Sequence, residues 1–242
     1  MKKKYIYGFI LIFIFWSFLH YIMNSPTIPS FFDVIKSLFL AIKEEKFLIN
    51  LLSTLKIVFI GIIVSSFFGI TFGVFIHRFK ICRNTLEPFI MILKNIPPIT
   101  LFPILLIIFG IKDISRIMII IWVSLPPIMI SMIDGLKNVD KEIVEASSLE
   151  TTENNILFFV KMPLSLKSLF IGIKSGIGAG FCAIVTAEML GANKGIGYMI
   201  LYSTNTYKYS FTYAYIIIVV LIGLFFDLVF NIIIKILNWR YY

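Results

Sequence analysis

Charged residues inside long apolar segments are the first candidates for chemistry in this sequence. Glu188 is the only acidic residue deep in the apolar run Leu169–Leu190, and Lys174 precedes it in the same run. Ionisable side chains are costly inside a membrane, so there they mark solute or proton pathways. The two lie about 21 Å apart along a helix, too far to pair with each other. Both are candidate pathway or gate residues. Alternatively, Glu188 reaches interfacial water and Lys174 extends toward the cytoplasmic interface.

A second candidate pathway element is the proline-rich stretch KNIPPITLFP, which begins at Lys94. Proline removes a backbone hydrogen bond. In a membrane this is tolerated only where protein or a water-filled cavity satisfies the freed carbonyl groups. Asn95, Pro97 and Pro98 are therefore candidate pathway residues, and a purely structural kink is the alternative.

Motifs for catalysis and for cofactor binding are missing from the sequence. It has no GxxxxGK[ST] phosphate loop, and His20 and His77 stand alone rather than in a metal-binding set. Cys82 and Cys182 are far apart and provide neither a disulfide framework nor a zinc site. We expect a chain that is not an enzyme and that binds neither a metal nor a cofactor of its own.

The composition is that of a membrane protein. Of 242 residues, 59% are hydrophobic and 14% are charged, with a mean hydropathy of +0.96. A soluble domain is about half apolar and about one quarter charged. The net charge of +9 fits basic residues collected in cytoplasmic loops. It does not indicate nucleic-acid binding, because no basic run is interleaved with stacking aromatic residues.

The elements that must position these residues are six predicted transmembrane helices in one domain of residues 1–242. A span needs about 20 mostly apolar residues. The predicted spans are Tyr5–Met23, Leu52–Ile76, Pro88–Phe109, Ile117–Ile133, Leu169–Leu190 and Phe211–Ile234. The first run is longer than a signal-peptide core and lacks a cleavage site, so we interpret it as a retained helix. The prolines predict that the third span is kinked or interrupted.

The remaining segments complete the predicted topology. Residues 29–50 are predicted to form a short amphipathic helix outside the bilayer, and residues 51–242 the core of the membrane domain. If the six spans are placed in a membrane, more Lys and Arg lie on the face that carries the N-terminus than on the opposite face. Because cytoplasmic loops collect these residues, both termini and the loop 134–167 are predicted to be cytoplasmic.

Small residues recur every four positions in two of the predicted spans. Gly69 and Gly73 are part of one such stripe, and Gly176 and Gly180 are part of the other. In lipid, stripes of this kind let helix backbones approach closely. Ordinary helix packing explains them, and a sliding interface would show the same pattern.

The loop 134–167 has the pattern of two short helices, Lys141–Leu149 and Glu153–Val160. Ile143, Ala146 and Leu149 recur at a spacing of three, which predicts an apolar face that packs inward. Ser147 and Thr152 are candidate N-caps. Pro163 is predicted to end the second helix. An apolar face argues against a merely solvated linker.

The loop sequence GLKNVDKEIVEASSLETTENNILFFVKMPLSL resembles the EAA loop of permease subunits of ABC importers. Glu145 and Ala146 match the start of that motif, and Met162 and Pro163 match its end. Three further stretches resemble the branch that imports sulfonates, taurine and nitrate: LLSTLKIVFIGIIVSSFFGITFGVFI, LKNIPPITLFPILLIIFGI and TAEMLGANKGIGYMI. Together these stretches cover most of the chain.

Two residues depart from the family motif. Ser147 replaces its second alanine, and the usual glycine of the loop is replaced by Glu150 or Thr151, depending on which end is aligned. A non-glycine residue in the left-handed conformation costs about 1–2 kcal/mol. The loop therefore requires either that conformation or a different turn.

The resemblance implies an all-α permease of the type I importer architecture. Such a subunit pairs with itself, binds two cytoplasmic ATPases that carry ATP and Mg, and receives solute from an extracytoplasmic binding protein. The implied ATPase-coupling residues are Glu145, Ala146, Ser147, Leu149, Glu150 and Pro163. The implied solute is a sulfonate-, taurine- or nitrate-like anion, with bicarbonate or a vitamin precursor also compatible.

Two alternative functions fit the residues less well. A secondary carrier driven by an ion gradient typically contains internal repeats, and no convincing repeat is present. A membrane-embedded enzyme would need catalytic groups, for which the sequence offers no candidates.

Overall fold

The computed structural model describes residues 2–23 and 25–241, with side chains at all of these positions except 2–6, 9–10 and 238–241. Its described part is helical and contains no strand. The helices are α1 (Lys2–Met23), α2 (Phe31–Lys43), α3 (Glu45–Arg78), α4 (Lys80–Lys94), α5 (Pro98–Phe109), α6 (Asp113–Lys137), α7 (Lys141–Ser148), α8 (Glu153–Asn155), the π-helical segment Ile156–Lys161, α9 (Met162–Gly191), α10 (Ile196–Asn205) and α11 (Tyr209–Tyr241).

The helix lengths confirm an all-helical protein with several membrane spans. Within the described residues, four helices are long and apolar enough to cross a membrane, and the pair α4–α5 counts as a fifth if it forms one broken span. The described apolar part of α1, Leu11–Met23, is shorter than a span. Six spans and two cytoplasmic termini remain predictions. Lys2–Lys4 and Arg240, which support the predicted orientation, lie outside the described side chains.

The predicted amphipathic segment 29–50 is divided between two helices. Ser30 caps α2 by accepting a hydrogen bond from the Asp33 N–H at 3.2 Å. Glu44 adopts an extended conformation with φ −67° and ψ 131°, which ends α2. Helix α3 then begins at Glu45, before the predicted start at Leu52. Hydropathy located the apolar part of α3 but not its polar first turns.

The third predicted span is interrupted, as the prolines indicated. Helices α4 and α5 meet at an angle of 94°. Pro97 is extended, with φ −61° and ψ 128°, because the residue before a proline is disfavoured in the helical conformation. Pro98 then occupies the first turn of α5, where its missing N–H costs nothing.

Helix α10 (Ile196–Asn205) was not predicted from the sequence. It has ten residues and follows Gly195, whose φ is +117°. Its apolar residues are too few to form a span. A helix of this length depends on packing, and Ile196, Met199 and Ile200 are buried.

The chain divides into two compact units, each built from two separate segments. The first unit comprises Met1–Thr54 with Glu188–Ile222, and the second comprises Leu55–Ala187 with Gly223–Tyr242. In the second unit a buried cluster around Ile128, Met132 and Leu157 forms part of the core. The prediction of one membrane domain remains a prediction.

Close packing against α6 occurs at the glycine stripes of the second unit. A Cβ atom added at Gly69 would lie 2.7 Å from Ile128 Cγ2, and one added at Gly180 would lie 2.7 Å from Ser124 Oγ. Contacts this short exclude any larger residue without movement of α6. The same approach to α6 is found at Gly61, Gly73 and Gly176.

Candidate functional sites: a buried carboxylate, a broken span and an exposed loop

The Glu188 carboxylate is completely buried in the first unit, with 0% exposure. The Thr54 hydroxyl lies 2.8 Å from Oε1 and 2.9 Å from Oε2, and the Gly197 N–H donates to Oε2 at 3.0 Å. The alternative that Glu188 reaches interfacial water is therefore wrong. A buried carboxylate needs such donors, since an unsatisfied one would be strongly destabilising.

A second layer of hydrogen bonds completes this network. The Ile196 N–H donates to Thr54 Oγ1 at 3.0 Å, and the Gly195 N–H donates to Asn50 Oδ1 at 2.7 Å. These are N–H groups at the start of α10, which have no partner within their own helix. A negative charge is also favourable at a helix N-terminus. The Glu188 network therefore anchors α10, using one residue of α9 and two of α3.

Glycine is required at position 195 of this network. Its φ of +117° is disfavoured for other residues, and a Cβ atom there would overlap the Glu188 carboxyl group. Sequence reasoning selected Glu188 but missed Asn50 and Thr54. The available signal was two polar residues four positions apart at the entry to an apolar run, which places them on one helix face.

Lys174 is paired within the second unit. Its Nζ lies 2.6 Å from Asp227 Oδ1 and 2.7 Å from Asn231 Oδ1, so it connects α9 to α11. Asn231 also donates to Asp227 Oδ2 at 2.8 Å. The predicted extension of Lys174 toward the cytoplasmic interface stays a prediction. Asp227 was missed, although a single acidic residue in the last apolar run calls for a partner in the membrane.

A cavity of about 490 Å³ lies beside the break between α4 and α5. Lys94 and Pro98 line it, whereas Asn95 and Pro97 are exposed and do not belong to its lining. The remaining lining residues come from α4, the break itself, α5, α6 and α9: Leu93, Ile96, Ile99, Trp122, Val123, Ala179, Cys182, Ala183 and Thr186. The structure thus places one charged side chain at a cavity in the predicted pathway segment.

The loop helices have different caps from those predicted. Asp140 caps α7 by accepting a hydrogen bond from the Glu142 N–H at 3.0 Å. The Ser147 hydroxyl instead donates to the Ile143 carbonyl at 2.7 Å inside α7, so its predicted N-cap role is wrong. Thr152 does occupy the N-cap position of α8, but its side chain makes no capping hydrogen bond.

The loop turns without the usual glycine. Within the described part of the chain, Tyr207 is the single non-glycine residue with a positive φ. Glu150 and Thr151 therefore avoid the left-handed conformation. The Glu150 and Thr151 N–H groups both donate to the Ser147 carbonyl, at 3.2 Å and 3.1 Å. A tightened last turn of α7 replaces the glycine turn.

Pro163 does not end the second loop helix, contrary to the prediction. Helix continues from Glu153 to Gly191, and the π-helical segment Ile156–Lys161 directly precedes the proline-containing first turn of α9. Proline lacks an N–H and its ring collides with a carbonyl one turn earlier. A π-helical turn is wider than an α-helical turn and accommodates the ring without stopping the helix.

Several large apolar residues of the loop face solvent in this chain, whereas Ile156 and Leu157 are buried. Leu149 is 88% exposed and Phe159 is 78% exposed, and Ile143 and Phe158 are also exposed. Helix α7 has no buried residue, so the prediction that its apolar face packs inward is wrong. Glu145 and Ala146 are exposed on the same helix.

One ion pair attaches this loop to the end of a long apolar helix. Arg78 Nη1 lies 2.6 Å from Glu153 Oε2, which joins the last residue of α3 to α8. The loop is therefore held to the rest of the second unit by this ion pair and by the buried side chain of Leu157, which packs with Ile128 and Met132.

The long apolar helices show an integral membrane protein with several spans. Residues 65–241 match the family of binding-protein-dependent transport system inner membrane components, and the chain belongs to that family. It is a multi-pass protein of the cell membrane and a permease component of an ABC importer. The predicted membership of the ABC importer permease family is thereby confirmed.

Two relatives illustrate the branch. The chain is 30% identical to the taurine transport system permease protein TauC of Escherichia coli over 152 residues, which is 62% of this chain and 55% of TauC. It is 27% identical to the nitrate import permease protein NrtB of Synechococcus elongatus over 196 residues, covering 76% of this chain and 70% of NrtB. The match thus spans just over half the length of TauC.

A solved structure shows the same fold. The MetNI methionine ABC transporter in an inward facing conformation matches with a TM-score of 0.64 and 20% identity, covering 78% of this chain and 95% of that chain. At this identity the likeness concerns the fold alone.

Proposed function

We propose that this chain is the membrane-spanning subunit of an ATP-driven importer for a small anion. A separate cytoplasmic ATPase, which binds ATP and Mg, is coupled to it through residues 141–160. An extracytoplasmic binding protein delivers the solute, and two copies of the chain form the translocation pathway.

The observation that carries this proposal is the exposed apolar face of the loop. We name Ile143, Leu149, Phe158 and Phe159 the coupling face. Exposed large apolar side chains mark sites of contact with another protein or with the membrane, and the polar surroundings of Ile143 and Leu149 favour a protein. Leu149 and Phe159 are mostly exposed, so a partner protein would bury them.

The acidic residues around the coupling face suit a partner whose binding groove is basic. Glu142, Glu145 and Glu150 are all exposed on this segment. Complementary charge steers association and fixes register more than it raises affinity. We therefore expect Glu145 to pair with an arginine of the ATPase.

The relatives support the choice of solute class. TauC and NrtB are named for taurine and nitrate transport, and both solutes carry an anionic group. A secondary carrier is the alternative function. It is disfavoured because the matched family, which covers residues 65–241, is defined by dependence on a binding protein.

The test is capture of partners from the native membrane. The tagged chain is purified in mild detergent, and the proteins bound to it are identified and quantified by mass spectrometry. We expect a P-loop ATPase to be recovered with the chain. We expect at least about tenfold less of it with Leu149→Asp or Glu145→Arg, since interface anchors contribute more than about 1.4 kcal/mol each.

Ile81→Asp is the matched control, because Ile81 is an exposed apolar residue of α4 outside the loop. It should leave ATPase recovery unchanged. Full recovery with both loop variants would refute docking through the coupling face. Uptake that proceeds without any ATPase and follows an ion gradient would refute the importer function itself.

A further inference from the structure

The cavity at the α4–α5 break has an unusual combination of lining groups. Its lining contains one ionisable amine, that of Lys94, and no carboxylate. The other residues are mainly aliphatic or aromatic, and Trp122 of α6 lines the same cavity as Leu93 of α4 and Ile96 of the break. Ligand sites are typically apolar clefts of about 300–1,000 Å³ with a few placed polar groups, and this cavity of about 490 Å³ fits that description.

The Lys94 ammonium has no partner in the described part of the chain. No ion pair or hydrogen bond joins it to another described residue. By contrast Lys174, which was predicted to be a pathway residue, pairs with Asp227 at 2.6 Å. Lys94 occupies the last turn of α4, where the helix carbonyl end favours a positive charge. That preference tolerates the charge but leaves its hydrogen-bond donors available to a ligand.

A second, almost purely apolar cavity adjoins the first. It has a volume of about 380 Å³ and shares Leu93 and Trp122 with the first cavity. Its other walls come from α5 and α6, at Leu101, Ile104, Leu105, Met118, Ile121, Leu125 and Pro126. A solute whose charged end contacts Lys94 therefore has apolar space beyond Trp122 for an organic body.

We propose that this cavity binds an organic anion, with its acidic group on Lys94 and its apolar body against Trp122. The proposal rests on the importer function and names the solute class within it. A zwitterion such as taurine is disfavoured, because its ammonium group would find no carboxylate in the lining. Nitrate is disfavoured because it has no body to bury. An alkanesulfonate combines the two required features.

Binding is tested on the purified full chain in lipid nanodiscs of phosphatidylcholine. The sequence has three tryptophans. With Trp16→Phe and Trp239→Phe, and with a nanodisc scaffold protein that lacks tryptophan, the fluorescence of Trp122 becomes the single reporter. The chain is titrated with ethane-, propane- and butanesulfonate, with taurine and with nitrate. Propanesulfonate and taurine form a matched pair, since they differ by a methyl group in place of an ammonium group.

We expect the sulfonates to bind about threefold to fourfold more tightly for each added methylene. Propanesulfonate should bind at least about tenfold more tightly than taurine, and nitrate should not change the signal. Lys94→Ala should weaken sulfonate binding about tenfold or more, since a charge-assisted hydrogen bond is lost. Lys56→Ala is the matched control, because Lys56 is an exposed lysine of α3 that does not line the cavity.

Three results would overturn the proposal. One is equal affinity for taurine and propanesulfonate, and another is sulfonate binding that survives Lys94→Ala. The third is a Trp122 response to phosphatidylglycerol in the nanodisc but to no free sulfonate, which would assign the cavity to a lipid head group. If binding fails while the captured ATPase complex still takes up solute, the site is wrong and the importer function stands.

Discussion

The surroundings of Glu188 and of Lys94 differ in one decisive respect. Both residues are single charges at the edges of apolar segments. Glu188 was predicted to be a pathway residue, and Lys94 begins the predicted pathway stretch KNIPPITLFP. Glu188 is 0% exposed and accepts hydrogen bonds from Thr54 and Gly197. Lys94 is exposed at a cavity and has no partner among the described residues.

The number of hydrogen-bond partners thus distinguishes a charged residue with a structural role, Glu188, from one that is available to a ligand, Lys94. The donors that satisfy Glu188 belong to the chain itself, so its hydrogen-bonding capacity is used for holding the start of α10. The donors of Lys94 are not used within the described chain. The completeness of the hydrogen bonds around a charge, rather than its position in an apolar run, therefore indicates its role.

The largest effect that tests the comparison is expected from Glu188→Ala. Removal of the carboxylate leaves the Gly197 N–H buried without its acceptor and leaves the Thr54 hydroxyl only the Asn50 carbonyl, at 3.3 Å. At about 1–3 kcal/mol for each unsatisfied group, we expect a loss of about 3 kcal/mol in the free energy of unfolding. The measurement is unfolding by sodium dodecyl sulfate in mixed micelles, followed by circular dichroism.

Two further variants sharpen this test. Glu188→Gln keeps one acceptor oxygen and should lose less stability than Glu188→Ala. Glu45→Ala removes an exposed carboxylate from α3 and should change stability little. If Glu188→Ala unfolds like the wild type but abolishes uptake, Glu188 is a pathway residue and the comparison fails.

A smaller effect is expected from Gly180→Ala, which tests packing instead of charge. Its new Cβ atom would lie 2.7 Å from Ser124 Oγ. Overpacking of this kind costs about 1–3 kcal/mol. Gly178→Ala, in the same helix, has open space at the added atom and is the matched control. Equal unfolding free energies of the two variants, in the same assay, would exclude close α6–α9 packing at this site.

The smallest effect on stability is expected from Lys94→Ala. Because no contact within the described chain is lost, its free energy of unfolding should stay within about 0.5 kcal/mol of the wild type. The same variant should nevertheless lose sulfonate binding. A large destabilisation would show that Lys94 has a structural partner, and would remove the contrast with Glu188.

Much of the fold could be predicted because membrane helices leave a strong pattern. Long apolar runs identified α3, α6, α9 and α11, and paired prolines predicted the break at Pro97 and Pro98. The helix Ile196–Asn205 was missed, since a short helix depends on contacts with distant residues more than on its own composition.

The candidate sites were predicted less completely, because partners distant in sequence leave no local signal. Glu188 and Lys174 were selected as unusual charges, but Thr54 and Asp227 were not recognised as their partners. Pro163 was predicted to end a helix. Proline ends an α-helix because its ring collides with the carbonyl one turn earlier. The π-helical segment before Pro163 has a wider turn, so this collision does not occur.

The sequence by itself determined that this protein is a helical membrane permease component with a polar loop between two long apolar helices. The hydropathy and the proline content of a segment depend only on its own residues, so they predict spans and breaks without knowledge of the rest of the chain. Tertiary structure alone decided which charges are satisfied and which are available. Whether a charged side chain meets a partner depends on helices that the sequence separates by many residues, as Lys174 on α9 and Asp227 on α11 show.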